Sequence, residues 1–255
     1  MDIEELIISD IITNTFTGNI NNLFQRAAEC GYVKIIDLLL DQVNPSMRNN
    51  LAFRMASEKG HMEIVKLLLA DSRVDPSVED NYCIRRASKN GNIEIVKLLL
   101  EDPRVDPAAG ISGNAIGESA YFGRYEVVEL LLKDPRIDPS VDEDYAIRQA
   151  LHNGHTKIVK LLLADSRVDP TTFNNFCIHW ASCMGYEKVV KLLLVSLKYR
   201  FNLEVYTRIL PEPSENVRGL LCDHIIKYQW HLKEFLREHL TVDLMNRMNH
   251  FISAS

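Results

Sequence analysis

Apolar and polar positions recur along this chain with a period of about thirty residues. The triplet Leu-Leu-Leu begins at residues 38, 67, 98, 130, 161 and 192, and a glycine lies seven residues before each triplet. The intervals between successive triplets are 29, 31, 32, 31 and 31 residues. Such a period is typical of helical solenoids, in which each repeat covers an apolar face of the next. The pattern therefore predicts six stacked repeats and an extended binding surface instead of a catalytic pocket.

Within repeat three, the spacing of apolar residues predicts two helices, over 82–90 and 92–101. The first helix places Ile84 and Ala87 on one face, at i and i+3. Gly91 ends this helix, because glycine readily adopts a positive φ. The second helix is apolar around most of its circumference and must be buried on several sides. An Asp-Pro pair then breaks it, and an extended connector follows.

This helix–glycine–helix–connector repeat resembles the ankyrin repeat. Residues 60–69, with the sequence GHMEIVKLLL, closely match the second helix of that family, and the resemblance covers residues 20–196. It implies an all-α ankyrin-repeat solenoid of six helix-turn-helix units with terminal helical caps. It also implies a structural role for His61 and His155, which follow repeat glycines.

Two features depart from the ankyrin pattern. Forms such as Tyr-Cys-Ile-Arg-Arg-Ala replace Thr-Pro-Leu-His-Leu-Ala, and connectors such as Asp-Pro-Arg-Val-Asp-Pro replace Gly-Ala-Asp-Val-Asn. These variant connectors are similar to those of repeat arrays from amoebae and their large DNA viruses. Because the Thr-Pro start is absent, we expect the first helices to begin differently from those of the family.

The repeat pattern divides the chain into three parts. We expect an N-terminal helical cap over 1–20, an array over 21–196 and a C-terminal helical extension over 197–255. The six repeats cover approximately 21–48, 49–79, 80–110, 111–142, 143–173 and 174–196. From Val217 onwards, apolar residues follow the three-to-four-residue rhythm of a helix. We expect the extension to cover the open end of the array.

Composition argues against several classes of function. The net charge of −6 lacks the basic excess of a general nucleic-acid-binding protein. No apolar run approaches the ~18 residues required to span a bilayer, and the N-terminus lacks the positive start of a signal peptide. The odd number of cysteines, five in all, favours a reducing compartment. We expect a cytoplasmic monomer (host cytoplasm if the chain is viral) that binds neither nucleic acid nor membranes.

No arrangement of residues predicts catalysis, a metal or a cofactor. Cys177, His179 and Cys183 lie on one predicted helix, but their spacing is not a zinc pattern and a fourth ligand is missing. A second, equally weak set comprises Cys222, His224 and His231. The Asp-x-Arg-x-Asp connectors lack the glycine and the closing glutamate of a calcium loop. We interpret these connectors as turns with local Asp–Arg pairing.

Two rows of first-helix residues are candidates for protein binding, because in the ankyrin family the first helices and connector tips line the concave face. We align the repeats on the small residue of the first helix. The position two residues before it holds Gln25, Arg54, Arg85, Gly117, Arg148 and His179. The next position holds Arg26, Met55, Arg86, Glu118, Gln149 and Trp180.

For the first row we favour hydrogen bonds between repeats over partner binding. The second row is the better candidate, because Arg and Trp are enriched in interface hot spots. Guanidinium groups also bind carboxylates and phosphates in a bidentate manner. We therefore predict a non-enzymatic scaffold or adaptor, whose concave face binds another protein through an acidic or phosphorylated segment.

An alternative function is the substrate-receptor subunit of a ubiquitin ligase, with the C-terminal helices as recruiter. Residues 221–226, with the sequence LCDHII, resemble the elongin-binding box of some ankyrin proteins. That box, however, requires a leucine where this chain has Arg218, and its proline element should follow, whereas residues 210–213 precede. This alternative requires an exposed face that includes Leu221.

Overall fold

A computed structural model describes residues 3–13, 15–110, 114–196, 214, 217, 220 and 221. These residues contain helices and no strand, which confirms the all-α fold class. The chain forms two compact blocks, residues 1–168 and residues 169–255. The first block contains repeats one to five, and the second contains repeat six.

In the first block, α1 (Ile3–Ile12) precedes five pairs of helices, as the sequence predicts. The pairs are α2 (Ile20–Cys30) and α3 (Val33–Leu39), α4 (Met47–Lys59) and α5 (Met62–Ala70), α6 (Val78–Asn90) and α7 (Ile93–Glu101), α8 (Ala115–Tyr121) and α9 (Tyr125–Leu131), and α10 (Val141–His152) and α11 (Thr156–Leu163). Each first helix packs against the next first helix, and each second helix against the next second helix. Helix α1 packs against α3.

The second helices supply most of the largest fully buried side chains. In α7, the buried side chains are Ile95, Val96 and Leu99, and the equivalent residues are buried in every repeat of the first block. Full burial of such a side chain stabilises the fold by roughly 1.5–3 kcal/mol. The exposed pair Glu94–Lys97, 2.7 Å apart, adds little in comparison. Stability therefore depends on contacts between neighbouring repeats.

The first helices of repeats two, three and five begin with a single left-handed turn. The turns comprise residues 48–50, 79–81 and 142–144, and all nine residues have φ between 52° and 58°. This turn explains why α6 extends to Val78, whereas the sequence predicts a start at residue 82. In repeat one, α2 is capped instead by Asn19, whose side chain accepts hydrogen bonds from two backbone N–H groups. The expectation of an unusual helix start is thus confirmed for three repeats.

The connectors join neighbouring repeats through arginine. Arg104 pairs with Asp102 at 2.6 Å, as the sequence predicts. Its Nη1 also donates a hydrogen bond of 3.0 Å to the carbonyl of Val74 in the preceding repeat. The same pair of interactions recurs at Arg73, Arg136 and Arg167. Each connector arginine therefore both closes its own turn and links it to the connector before it.

In the second block, α12 (Thr172–Cys183) and α13 (Glu187–Ser196) form repeat six. Ile178, Ala181 and Ser182 are buried, as predicted for the first helix of this repeat. Val217 and Leu221 are also fully buried. The helices predicted beyond residue 221 lie outside the described residues.

Candidate protein-binding surface

The arginines of the first row hold the left-handed turns. Arg85 donates from Nε to the carbonyl of Asp80 at 2.9 Å and from Nη2 to the carbonyl of Glu79 at 3.1 Å. Arg54 and Arg148 bind the carbonyls of their own turns in the same way. These bonds lie within one repeat, whereas the sequence favoured bonds between repeats. We call Arg54, Arg85 and Arg148 the turn arginines.

A bond between repeats does occur at one turn arginine. Arg54 Nη1 lies 2.6 Å from Glu79 Oε2, which belongs to the turn of the next repeat. Asn49 also donates to the carboxylate of Glu79. The turns of repeats two and three are therefore coupled through Glu79.

The third residue of each turn is a buried Asn or Asp, namely Asn50, Asn81 and Asp144. The Oδ1 atom of Asn81 accepts a hydrogen bond of 2.8 Å from the backbone N–H of Asp106 in the next connector. Asn and Asp tolerate a left-handed conformation better than most residues. The turn of repeat three is thereby tied to the connector that follows it as well as to its own arginine.

Repeat four has Gly117 where its neighbours have a turn arginine. A Cβ atom at Gly117 would lie 2.7 Å from Cδ1 of Tyr145, so that the ring of the next repeat occupies the space of a side chain. Helix α8 is capped by Asn114, whose side chain accepts a hydrogen bond from the backbone N–H of Gly117. Residues 111–113 of the glycine-rich stretch lie outside the described residues.

The second row is placed on neighbouring first helices of the first block. We call its five members there the contact strip: Arg26, Met55, Arg86, Glu118 and Gln149. Arg26 is exposed and the other four are half-buried. Among the described residues, the side chains of Arg26, Glu118 and Gln149 make no hydrogen bond or ion pair. The sixth member, Trp180, lies on α12 in the second block, where its ring stacks on Phe176 at 5.6 Å between centroids.

Arg86 is positioned by an aromatic residue that the sequence did not single out. Its guanidinium lies 5.0 Å from the centroid of the Tyr82 ring, and that of Arg54 lies 5.2 Å from the same centroid. The hydroxyl of Tyr82 donates a hydrogen bond of 2.8 Å to Glu58. Burial, together with this bond, raises the pKa of Tyr82. Tyr82 recurs as Tyr145 and Phe176, and this aromatic position was the signal available in the sequence.

The residues that follow the repeat glycines link successive repeats. The Nε2 atoms of His61 and His155 bind the carbonyls of Glu29 and Tyr121, at 2.8 and 2.9 Å. Asn92 and Arg124 make equivalent bonds to the end of the preceding first helix. This supports the structural role that the family resemblance implied for the two histidines.

The described part of the chain contains no group of three or more His, Cys, Asp or Glu residues arranged to hold a metal ion. Cys177 is buried whereas His179 and Cys183 are exposed. The second candidate set, Cys222, His224 and His231, lies outside the described residues. None of the helices described is both long and apolar enough to cross a membrane.

A comparison with protein families matches the chain to the ankyrin repeats. A model of ankyrin repeats in three copies matches residues 24–110, 53–143 and 116–205, which together span most of the chain. No curated protein matches the chain.

Proposed function

Because the chain belongs to the ankyrin repeat family, whose repeats mediate binding to other proteins, we propose that it is a non-enzymatic scaffold or adaptor. The proposed binding surface is the contact strip on the first helices of repeats one to five. We further propose that the protein is a monomer and is located in the cytoplasm. Four cysteines of the described residues are free thiols, as a reducing compartment would require.

One observation carries the proposal. The turn arginines are engaged by backbone carbonyls, whereas the polar side chains of the adjacent strip at Arg26, Glu118 and Gln149 have no partner among the described residues. Polar groups that are at least partly exposed and make no internal bond can bind a partner without first breaking one. Their repetition on helices packed side by side offers an extended segment several contacts in succession.

The chemistry of the strip favours an anionic partner. Arg26 and Arg86 have no carboxylate within ion-pair distance in the described part of the chain. A guanidinium group binds a carboxylate or phosphate through two parallel hydrogen bonds. Met55, which lies between them in the row, adds an adaptable apolar contact. We therefore propose an acidic or phosphorylated segment of another protein as the ligand.

The ubiquitin-ligase alternative receives no comparable support. It requires Leu221 on an exposed recruiting face, but the exposed fraction of Leu221 is 0%. We therefore propose the scaffold function alone.

The proposal is tested by affinity capture from cytosolic extract followed by quantitative mass spectrometry. The strip variant Arg26→Ala/Arg86→Ala removes two positive charges from the first helices. The matched control Lys157→Ala/Lys160→Ala removes the same charge from the exposed side of α11. Treatment of the extract with phosphatase then distinguishes a phosphorylated ligand from an acidic one.

We expect one or more proteins to be captured by the wild type and by the control, and to be lost with the strip variant. Capture of these proteins by the wild type should also weaken as the salt concentration rises, because the contacts are ionic. A set of captured proteins that is identical for the strip variant and the control would contradict the proposal. Thermal unfolding of both variants verifies that the comparison is made between folded proteins.

A further inference from the structure

We propose that Ser214, Val217, Leu220 and Leu221 occupy the positions of the second helix of a seventh, degenerate repeat. This seventh repeat closes the array by covering the apolar end of repeat six. The segment lies beyond the predicted array, and beyond residue 205, where the family match ends. The proposal is independent of the contact strip and rests on a hydrogen bond, a burial pattern and a sequence register.

A hydrogen bond from a side chain to the same carbonyl position joins repeats two and three. In repeat three, Asn92 follows the glycine and binds the carbonyl of Ser57 at 3.1 Å. Ser57 lies three residues before the glycine of repeat two, and Ser182 lies three residues before the glycine of repeat six. Ser214 donates to the carbonyl of Ser182 from both its backbone N–H and its hydroxyl, at 3.0 and 3.1 Å. Ser214 therefore stands in relation to repeat six as Asn92 stands to repeat two.

The burial pattern follows the same register. Three and seven residues after Asn92, Ile95 and Leu99 are buried, whereas Leu98, six residues after it, is half-buried. Three and seven residues after Ser214, Val217 and Leu221 have an exposed fraction of 0%, whereas Leu220, six residues after it, is half-buried. The seventh residue is a fully buried leucine in all six repeats: Leu39, Leu68, Leu99, Leu131, Leu162 and Leu193.

The sequence explains why the repeat marker is missing here. In this register residues 214–222, SENVRGLLC, align with residues 92–100, NIEIVKLLL. Cysteine replaces the third leucine of the triplet, and Arg218 replaces a valine that is buried in repeat three. The interval from Leu193 to Leu221 is 28 residues, shorter than the others, because repeat six lacks the Asp-Pro-Arg connector.

A closing repeat has a consequence for binding. Terminal repeats of solenoids cover an apolar face that would otherwise be exposed. Leu221 is then used for folding and not for recruiting another protein.

The register is tested by hydrogen exchange of the amides in α12 and α13, with the full chain. The decisive variant replaces residues 214–222 with NIEIVKLLL, the sequence of residues 92–100. Consensus residues stabilise repeat proteins, so we expect exchange in α12 and α13 to become at least threefold slower. Gly219→Lys, which installs the exposed lysine of the repeat in place of glycine, should slow exchange by a smaller factor.

Two point variants test the opposite effect, a loss of stability. Leu221→Ala removes a buried leucine and should accelerate exchange in α12 and α13 at least tenfold. Leu220→Ala, its half-buried neighbour, is the matched control and should change exchange less than threefold. Faster exchange in the replacement variant, or equal effects of Leu221→Ala and Leu220→Ala, would overturn the proposal.

Discussion

Arg85 donates two hydrogen bonds to the left-handed turn at the start of its own helix, one of them to the carbonyl of Asp80 at 2.9 Å. Three successive non-glycine residues with positive φ are unfavourable, at roughly 1–2 kcal/mol for each residue. The charged guanidinium offsets part of this cost by binding the carbonyls that the turn directs towards it. Repeat one has Gln25 at the equivalent position and begins its first helix without such a turn.

Removal of the guanidinium should destabilise the fold. Hydrogen bonds to charged groups contribute about 1.5–3 kcal/mol, and we expect Arg85→Ala to lower the free energy of unfolding by that amount in urea. Arg85→Lys should not restore stability, because an ammonium group cannot reach both carbonyls in the planar geometry of the guanidinium. Arg26→Ala, at an exposed arginine without a partner among the described residues, is the control. Wild-type stability of Arg85→Lys would contradict this account.

Glycine should be favourable inside the turn. Asp80 is exposed and has φ of 53°, and glycine adopts this conformation without a steric cost. We expect Asp80→Gly to raise the free energy of unfolding by up to about 1 kcal/mol. Lys160→Gly, at an exposed position inside α11, should lower it by about 1 kcal/mol. Chemical denaturation of both variants measures these changes in the free energy of unfolding. Changes of the same sign would argue against a strained turn.

The connector aspartates should make stability dependent on pH. Hydrogen bonds from the side chain of Arg104 lower the pKa of Asp102 below its ordinary value of 3.8, although burial opposes this. The same cause lowers the pKa of Asp71, Asp134 and Asp165. Because the unfolded chain then binds more protons, this stabilisation is complete above the ordinary pKa and is lost as the pH falls through the folded-state pKa.

We therefore expect the free energy of unfolding to fall as the pH is lowered below about 4. Asp102→Asn should be less stable than the wild type at pH 6, by less than about 1 kcal/mol because the pair is partly solvated. The difference should vanish in strong acid. Glu126→Gln, which removes an exposed charge without breaking an ion pair among the described residues, is the control. A difference between Asp102→Asn and wild type that does not change with pH would contradict the assignment.

Gly123 should be sensitive to alanine for two separable reasons. Its φ is +72°, and a Cβ atom would lie 2.6 Å from Cε1 of His155. We expect Gly123→Ala to lower the free energy of unfolding by at least 1–2 kcal/mol, the approximate cost of the backbone conformation alone. In a double-mutant cycle with His155→Ala, the coupling energy reports the contact with the ring. Additive effects would show that the contact is relieved at no cost.

Several features of the fold could be predicted from the sequence because they depend on local spacing. The second helix of repeat three was predicted over 92–101 and occupies Ile93–Glu101. The second helix is apolar around most of its circumference, which indicates a buried helix, and the glycine before it ends the first helix. Both signals are local in the sequence and do not depend on distant residues. The pairing of Asp102 with Arg104 was predictable for the same reason, because the two residues lie two positions apart.

The candidate surface was predictable in part. Alignment of the repeats identified both rows of first-helix residues, but it could not distinguish an arginine bound to its own backbone from one that is free. That distinction depends on the left-handed turn, whose conformation has no signature in hydrophobic periodicity. The orientation of Arg86 likewise depends on the ring of Tyr82, one turn away on the same helix.

The repeat, its period, its helices and the positions that face the core follow from the spacing of apolar residues and glycines along the chain. Which polar side chains are engaged depends instead on how the repeats pack. Whether Arg104 reaches the carbonyl of Val74, or Ser214 that of Ser182, depends on atoms about thirty residues apart in the chain. Such contacts form only when the repeats stack, since stacking brings a side chain of one repeat to the backbone of the one before it.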